Sequence, residues 1–141
     1  MTRLLVILAL ATACVTTARA GSLPFYAHER AQTFAVCSGR LSALAVRQSA
    51  MEDPEATATR RLMQDFDMLL EATLPAAYDE GVPERQPRVW RARGWTEIAG
   101  LLRETHDSPD AGRAERAAAQ LTQRIRQCRD LILPANGPPR Q

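Results

Sequence analysis

The sequence predicts an all-α protein, an up-down-up-down four-helix bundle stapled by one disulfide between its first and last helices and preceded by a cleaved signal peptide. Three observations support this fold class. Apolar residues recur at three- and four-residue spacing in four separate stretches, no stretch alternates like a strand, and the first and last helical stretches each contain a cysteine. Because the connections between stretches are short, successive helices are expected to be antiparallel neighbours.

The first twenty residues have the pattern of a secretory signal peptide. Arg3 precedes an apolar run over residues 4–13, and the small-x-small motif of residues 18–20 follows. This run is shorter than the roughly 20 residues that span a bilayer, so we expect cleavage before Gly21 and no stable membrane insertion afterwards. The alternatives are an uncleaved signal anchor and a lipoprotein anchored at Cys14. The chain then divides into a signal peptide (1–20), a helical bundle domain (21–133) and a tail (134–141) that is disordered or draped over the surface.

Capping residues indicate where the first two helices begin. We expect the first helix over residues 24–49, with Ser22 as its N-cap residue. The second has Asp53 as the N-cap, Pro54 at the first helical position and Glu55 behind it, where an anion suits the helix dipole.

Proline and glycine mark the later boundaries. Pro75 is expected to kink or end the second helix, and Gly81 with Pro83 marks its final stop. The fourth helix should open with residues 108–110, where Ser108 is the cap and a proline follows at the first helical position, and it should continue to about Leu133.

The third helix is the least clearly bounded of the four. It is expected from about Pro87 to His106. Alternatively it begins only at Trp95, because Gly94 costs about 1 kcal/mol against Ala in a helix interior. Each helix has one predicted buried face. In chain order these faces are Phe34, Cys37, Leu41, Leu44 and Ala45; Leu62, Met63, Phe66, Leu69, Leu70 and Thr73; Trp90, Gly94, Ile98, Leu101 and Leu102; and Ala114, Ala117, Ala118, Leu121, Ile125, Cys128 and Ile132.

The cysteines provide a constraint on the bundle. If Cys14 leaves with the signal peptide, Cys37 and Cys128 remain as one pair in a compartment that oxidises thiols. Both lie on predicted buried faces, and the first and last helices of such a bundle are neighbours. We therefore predict a disulfide, which would stabilise the fold by about 4 to 5 kcal/mol in the chain-entropy model. Redox catalysis or metal binding is the alternative, but it usually needs cysteines close in sequence.

The charged residues exclude several functions. All 18 cations are arginine, so lysine Schiff-base chemistry and a Walker-type phosphate loop are excluded. Loss of the signal peptide would leave 16 arginines against 16 acids, and a neutral chain argues against a nucleic-acid partner. Residues 21–81 have a formal charge of −4 and residues 82–141 of +4, so the two halves should attract each other.

The polar residues do not form a recognisable catalytic or metal-binding pattern. His28 and His106 fall at opposite ends of the predicted bundle, so they are interpreted as solvated helix-end residues. Asp65 and Asp67 are two positions apart and point in different directions on a helix, which favours a solvated face. No cofactor, metal site or catalytic residue is predicted.

Residues 84–95 differ from the rest of the chain because they contain both tryptophans and four arginines. Such residues form interface anchors and anion-binding patches. The candidate partner or ligand surface consists of Arg85, Arg88, Trp90, Arg91, Arg93 and Trp95. The alternative is internal: the arginines pair with the acids Asp79, Glu80 and Glu84, and the tryptophans cover the core.

These features favour a small exported helical protein of the bacterial periplasm, or a secreted one, that is not an enzyme. It would act as an accessory protein, inhibitor or binding partner of another periplasmic or envelope protein. A bundle that carries a small apolar ligand, haem or metal is the first alternative, and a cell-envelope hydrolase the second.

Overall fold

The computed structural model describes residues 23–132, which form four α-helices and, within that range, no strand. The helices are α1 (Ala27–Ala50), α2 (Ala56–Asp79), α3 (Gln86–Asp107) and α4 (Ala111–Ile132). The all-α prediction is confirmed. The predicted signal peptide with Cys14, the predicted cap Ser22 and the tail lie outside the described residues.

Helix α1 is the centre of the molecule. It packs against α2, α3 and α4, and α3 also packs against α4. Helices α2 and α3 are not closely packed, so the expectation that successive helices are neighbours is wrong for this pair. The largest fully buried apolar side chains are Leu41 of α1, Phe66 of α2 and Ile98 of α3, and Phe34 packs against Phe66 with ring centroids 6.2 Å apart. The core therefore lies mainly along α1.

Helix α1 begins three residues later than predicted and is capped by a different residue. Its N-cap residue, Tyr26, makes no side-chain capping hydrogen bond. The carboxylate of Glu80, which follows α2, accepts hydrogen bonds from the backbone N–H groups of Ala27 at 3.0 Å and His28 at 2.8 Å. The expectation of Ser22 as the cap is wrong, because the donors at the start of α1 are satisfied by a residue distant in sequence.

Helix α2 also begins slightly later, at Ala56, but Asp53 still organises the entry. Its side-chain Oδ1 accepts a hydrogen bond from the N–H of Glu55 at 2.8 Å, and its carbonyl accepts one from Ala56 at 3.1 Å. The N-cap residue is Glu55, so the prediction of Asp53 as the N-cap and Pro54 as the first helical residue is wrong, although Asp53 begins the turn that leads into the helix.

The end of α2 is set by Gly81 and not by Pro75. Pro75 lies inside the helix, which continues to Asp79. The possibility that this proline ends the helix is wrong: it is exposed, and the buried Ala77 holds the following turn in the core. Gly81 has a φ of 92°, and its N–H donates to Tyr78 while that of Val82 donates to Ala77, the pair of bonds of a Schellman motif.

Helix α3 runs without interruption through Gly94, so the alternative start at Trp95 is wrong. A Cβ atom on Gly94 would overlap the carbonyl oxygen of Val36, and one on Gly39 would overlap that of Arg91. The two glycines therefore let the backbones of α1 and α3 approach closely, which sequence spacing alone does not show.

The N-cap residue of α4 is Asp110 and not the predicted Ser108. Asp110 Oδ1 accepts a hydrogen bond from the N–H of Arg113 at 3.1 Å, the usual bond between an N-cap and the third helical residue. Ser108 instead lies before the helix, where its hydroxyl bonds to the backbone of Asp110.

The predicted faces agree well with the observed burial. At least one predicted residue on every helix is buried, and the others mostly pack at the edge of the core. Leu69 is the main exception, since its exposed fraction is 38%.

Candidate functional site

Cys37 and Cys128 lie at disulfide-bonding distance, as predicted. Their sulfur atoms are 2.06 Å apart and their Cα atoms 5.5 Å apart. Both residues are buried. The pair joins α1 to α4 inside the molecule, so it is a structural link and not a surface thiol site.

An ion-pair network joins three helices beside this disulfide. One carboxylate oxygen of Glu97 in α3 lies 2.8 Å from the Nε of Arg40 in α1. The other oxygen lies 2.8 Å from the Nε of Arg124 in α4. Arg40 also places its Nη1 3.9 Å from the sulfur of Cys128. The network connects the helices that the disulfide connects.

A second polar network joins α1, α2 and α3. Asp67 Oδ1 accepts hydrogen bonds at 2.6 Å from both the Ser38 hydroxyl and an Nη of Arg91. Arg91 Nε also donates to the hydroxyl of Ser38 at 3.2 Å. The expectation of a solvated face is thus wrong for Asp67, while Asp65 is exposed. Sequence reasoning missed this because the two partners lie on other helices.

The structure divides the predicted Arg/Trp surface between several environments. Trp90 is half-buried against the core, and Arg91 is engaged with Asp67. Arg93 lines a cleft beside Arg40 and Arg124, whereas Trp95 lines a different groove between α1 and α3. The remaining two residues, Arg85 and Arg88, are exposed at the start of α3. The six residues therefore do not form one continuous surface.

The predicted internal pairing of this segment also differs from the observed contacts. Among the ion pairs of residues 23–132, none joins Asp79, Glu80 or Glu84 to the arginines of residues 85–93. Glu80 instead contacts the start of α1, and the acid that pairs with Arg91 lies farther back in α2.

Trp95 lies in a groove between α1 and α3 with a largely apolar lining, and we call it the α1–α3 groove. It has a volume of about 380 Å³. Trp95 is 45% exposed and Val46 is 61% exposed, which is high for such large apolar side chains. The apolar lining is Ala43, Val46, Ala50, Trp95, Ala99 and Leu102, and the polar lining is Arg47, Arg103, His106 and Asp107.

Arg47 has an unusual environment within the α1–α3 groove. Its Nε is buried and has no hydrogen-bond partner among the described residues. Its guanidinium also forms none of the ion pairs found in the described part of the chain. The sequence did not indicate this side of the groove, because Val46 and Arg47 lie outside the predicted buried face of the first helix.

The two histidines lie at helix ends, as expected, but His28 is not simply solvated. Its Nδ1 is 2.7 Å from Glu80 Oε2. The pKa of Glu80 is lowered below its ordinary value of 4.5 by hydrogen bonds that stabilise the carboxylate. The largest contribution comes from the backbone N–H of His28, followed by the His28 side chain and the N–H of Ala27. His106 is exposed at the end of α3.

Two further observations concern metal ligands and membrane spans in the described residues. Residues 23–132 contain no group of three or more His, Cys, Asp or Glu side chains placed to hold a metal ion. None of the helices in this range is long and apolar enough to cross a membrane.

Residues 23–132 thus form a four-helix fold with an internal disulfide and an apolar groove that two arginines also line. No protein-family model matches the chain, and no curated protein or solved structure matches it either.

Proposed function

We propose that this protein is an exported, non-enzymatic binding protein that docks a partner protein in the α1–α3 groove. The observation that supports this function is the exposure of Trp95 and Val46 on opposite walls of the groove. Tryptophan and arginine are the residues that most often dominate binding energy at protein interfaces, surrounded by smaller apolar contacts. The groove combines these residue types, with Arg47 and Arg103 beside the apolar lining.

A partner at the surface is favoured over a ligand inside the bundle. Phe66, Leu41 and Ile98 fill the core with large side chains that are almost completely buried. The exposed tryptophan, in contrast, lies on the outer side of the α1–α3 crossing. A protein surface can cover such a shallow groove without opening the core.

The exported location is part of the proposal. The bonded cysteine pair is typical of an oxidising compartment such as the bacterial periplasm, and the first twenty residues of the sequence have the pattern of a cleaved signal. Lipid attachment at Cys14 is the other form that this location would allow.

The up-down-up-down topology is also proposed, from contacts near the helix ends. Glu80 after α2 contacts the start of α1, which supports opposite directions for these helices. Glu104 near the end of α3 lies 3.7 Å from Arg113 near the start of α4, which supports the same for the second pair.

Site-specific photocrosslinking in the producing bacterium would test the binding function. A photoreactive residue would replace Val46 in the groove or, as a matched control, Val89, which is 54% exposed on α3 and does not line the groove. We expect a discrete protein adduct from position 46 alone and its loss on Trp95→Ala. No adduct, or equal adducts from both positions, would contradict the proposal.

A further inference from the structure

We propose that the segment docked in the α1–α3 groove is acidic as well as apolar, and that one of its carboxylates pairs with Arg47. This inference rests on the proposed binding function and adds the chemistry of the partner. It depends on the charges around the groove, the environment of Arg47 and the size of the apolar lining.

The charges of the groove favour an anionic partner. Its lining contains two arginines, Arg47 and Arg103, and one carboxylate, Asp107. Neither arginine takes part in the ion pairs described for residues 23–132. Other interhelical arginines do, since Arg40 and Arg124 share Glu97 and Arg91 pairs with Asp67. The groove lining therefore includes two cations without a described acid partner, and they lie beside the exposed apolar residues.

The buried Nε of Arg47 gives a second, independent reason. A buried N–H donor without an acceptor is unfavourable, because it loses its hydrogen bonds to water and gains none in return. A carboxylate can accept from Nε and an adjacent Nη of one guanidinium in a bidentate pair. In the described position this nitrogen has almost no accessible surface, so the pair forms when the Arg47 side chain rotates toward the partner, whose carboxylate then supplies the missing acceptor.

The dimensions of the groove suit a short segment with one apolar anchor. The α1 wall extends from Ala43 to Ala50, about 10 Å of helix at a rise of about 1.5 Å per residue. A volume of about 380 Å³ accommodates a large apolar side chain with its immediate neighbours. We therefore infer a partner segment in which a Leu or aromatic residue lies between Val46 and Trp95, with Asp or Glu within about one helical turn of it.

Selection from a random dodecapeptide library displayed on phage would test this chemistry directly on the groove. The purified exported protein serves as bait, and selected peptides are synthesised and their affinities measured by fluorescence anisotropy. Five baits are compared: the unchanged protein, Arg47→Gln, Arg47→Lys, Trp95→Ala and Arg85→Gln. Arg85 is an exposed arginine just before α3 and outside the groove, so its variant controls for general charge attraction.

The expected peptides combine Asp or Glu with Leu, Phe or Trp. Their affinity should fall at least about tenfold with Arg47→Gln and with Trp95→Ala, and by less than about twofold with Arg85→Gln. Circular dichroism and thermal melting would confirm that each bait is folded, and an Arg47→Lys bait should restore part of the affinity because it keeps the charge.

Two different negative results are distinguishable. Peptides that need Trp95 but contain no excess of acids, or are insensitive to Arg47→Gln, would overturn the acidic chemistry and leave the binding function standing. If no selected peptide depends on Trp95, both the acidic partner and the groove as a binding site are wrong.

Discussion

Helices α2 and α4 both pack on the central part of the molecule, but they are held there by different interactions. Helix α2 buries large apolar side chains against α1, among them Phe66, Leu62 and Leu70. Helix α4 buries only Ala117, Ile125 and Cys128. Leu121, Leu131 and Ile132 pack only at the edge of the core, and the helix is also attached by the disulfide and by ion pairs from Arg124 and Arg113 to α3.

This difference leads us to expect that the disulfide contributes most to the attachment of α4, which buries fewer and smaller side chains than α2. An apolar interface such as that of α2 forms by burial alone, at roughly 25 cal/mol for each Å² removed from water. The small side chains of α4 offer little such area, and exposed ion pairs contribute about 1 kcal/mol or less each. A covalent link compensates by reducing the entropy of the unfolded chain.

The largest expected effect is at the α1–α2 interface. Phe66→Ala should lower the free energy of unfolding by about 3 to 5 kcal/mol, because it leaves a cavity beside Phe34 in a fully buried site. Urea denaturation followed by circular dichroism measures this value. Met68→Ala on the same helix is the control, since Met68 is 62% exposed and should change stability by less than about 0.5 kcal/mol. Similar losses for the two variants would contradict the apolar attachment of α2.

Removal of the disulfide should have the next largest effect. The double variant Cys37→Ala/Cys128→Ala should lose about 2 to 5 kcal/mol. Hydrogen exchange should show the loss of protection first in α4, while α1 and α2 remain protected until global unfolding. Equal loss of protection in all four helices would show that α4 does not depend specifically on the covalent link.

The crossing of α1 and α3 gives a smaller predicted effect with a close control. Gly94→Ala should cost about 1 to 3 kcal/mol, because the new methyl group would overlap the carbonyl of Val36. Gly100→Ala lies in the same helix with open space around the added Cβ, so it should leave stability unchanged or raise it by up to about 1 kcal/mol. Thermal melts of both variants measure the difference, and a neutral Gly94→Ala would show that the helices separate easily.

The smallest predicted effect concerns the carboxylate that caps α1. Folding lowers the pKa of Glu80, so its carboxylate contributes fully to the free energy of unfolding above about pH 4.5. This contribution declines as the pH falls and the unfolded state takes up a proton, and it is lost below the pKa that Glu80 has in the folded state. The stability difference between the unchanged protein and Glu80→Gln should therefore shrink on acidification from pH 7 to pH 3. Asp79→Asn, at an exposed neighbouring position, is the control. A difference that stays constant with pH would mean that the charge of Glu80 does not support the cap.

Sequence periodicity was sufficient for the four helices and their buried faces, because burial of one face is a local property of the pattern. It was also sufficient for the cysteine pair, since two buried positions on the first and last helices left one pairing. Contacts between helices could not be predicted in this way. Neither the partners of Asp67 nor the close approach of α1 and α3 at their glycines follows from residue spacing within one helix. Of the residues that line the α1–α3 groove, only Trp95 belonged to the predicted surface, because Val46 and Arg47 form a groove only together with the neighbouring α3.

The cap of α1 also has a consequence for the order in which the chain can fold. The side chain that satisfies the first donors of α1 is separated from them by 53 and 52 residues. A chain that emerges amino end first therefore exposes the start of α1 before its cap exists, and this start is completed only when the turn after α2 has formed. The segment from the start of α1 to Glu80 is thus the shortest one that contains both these donors and their acceptor.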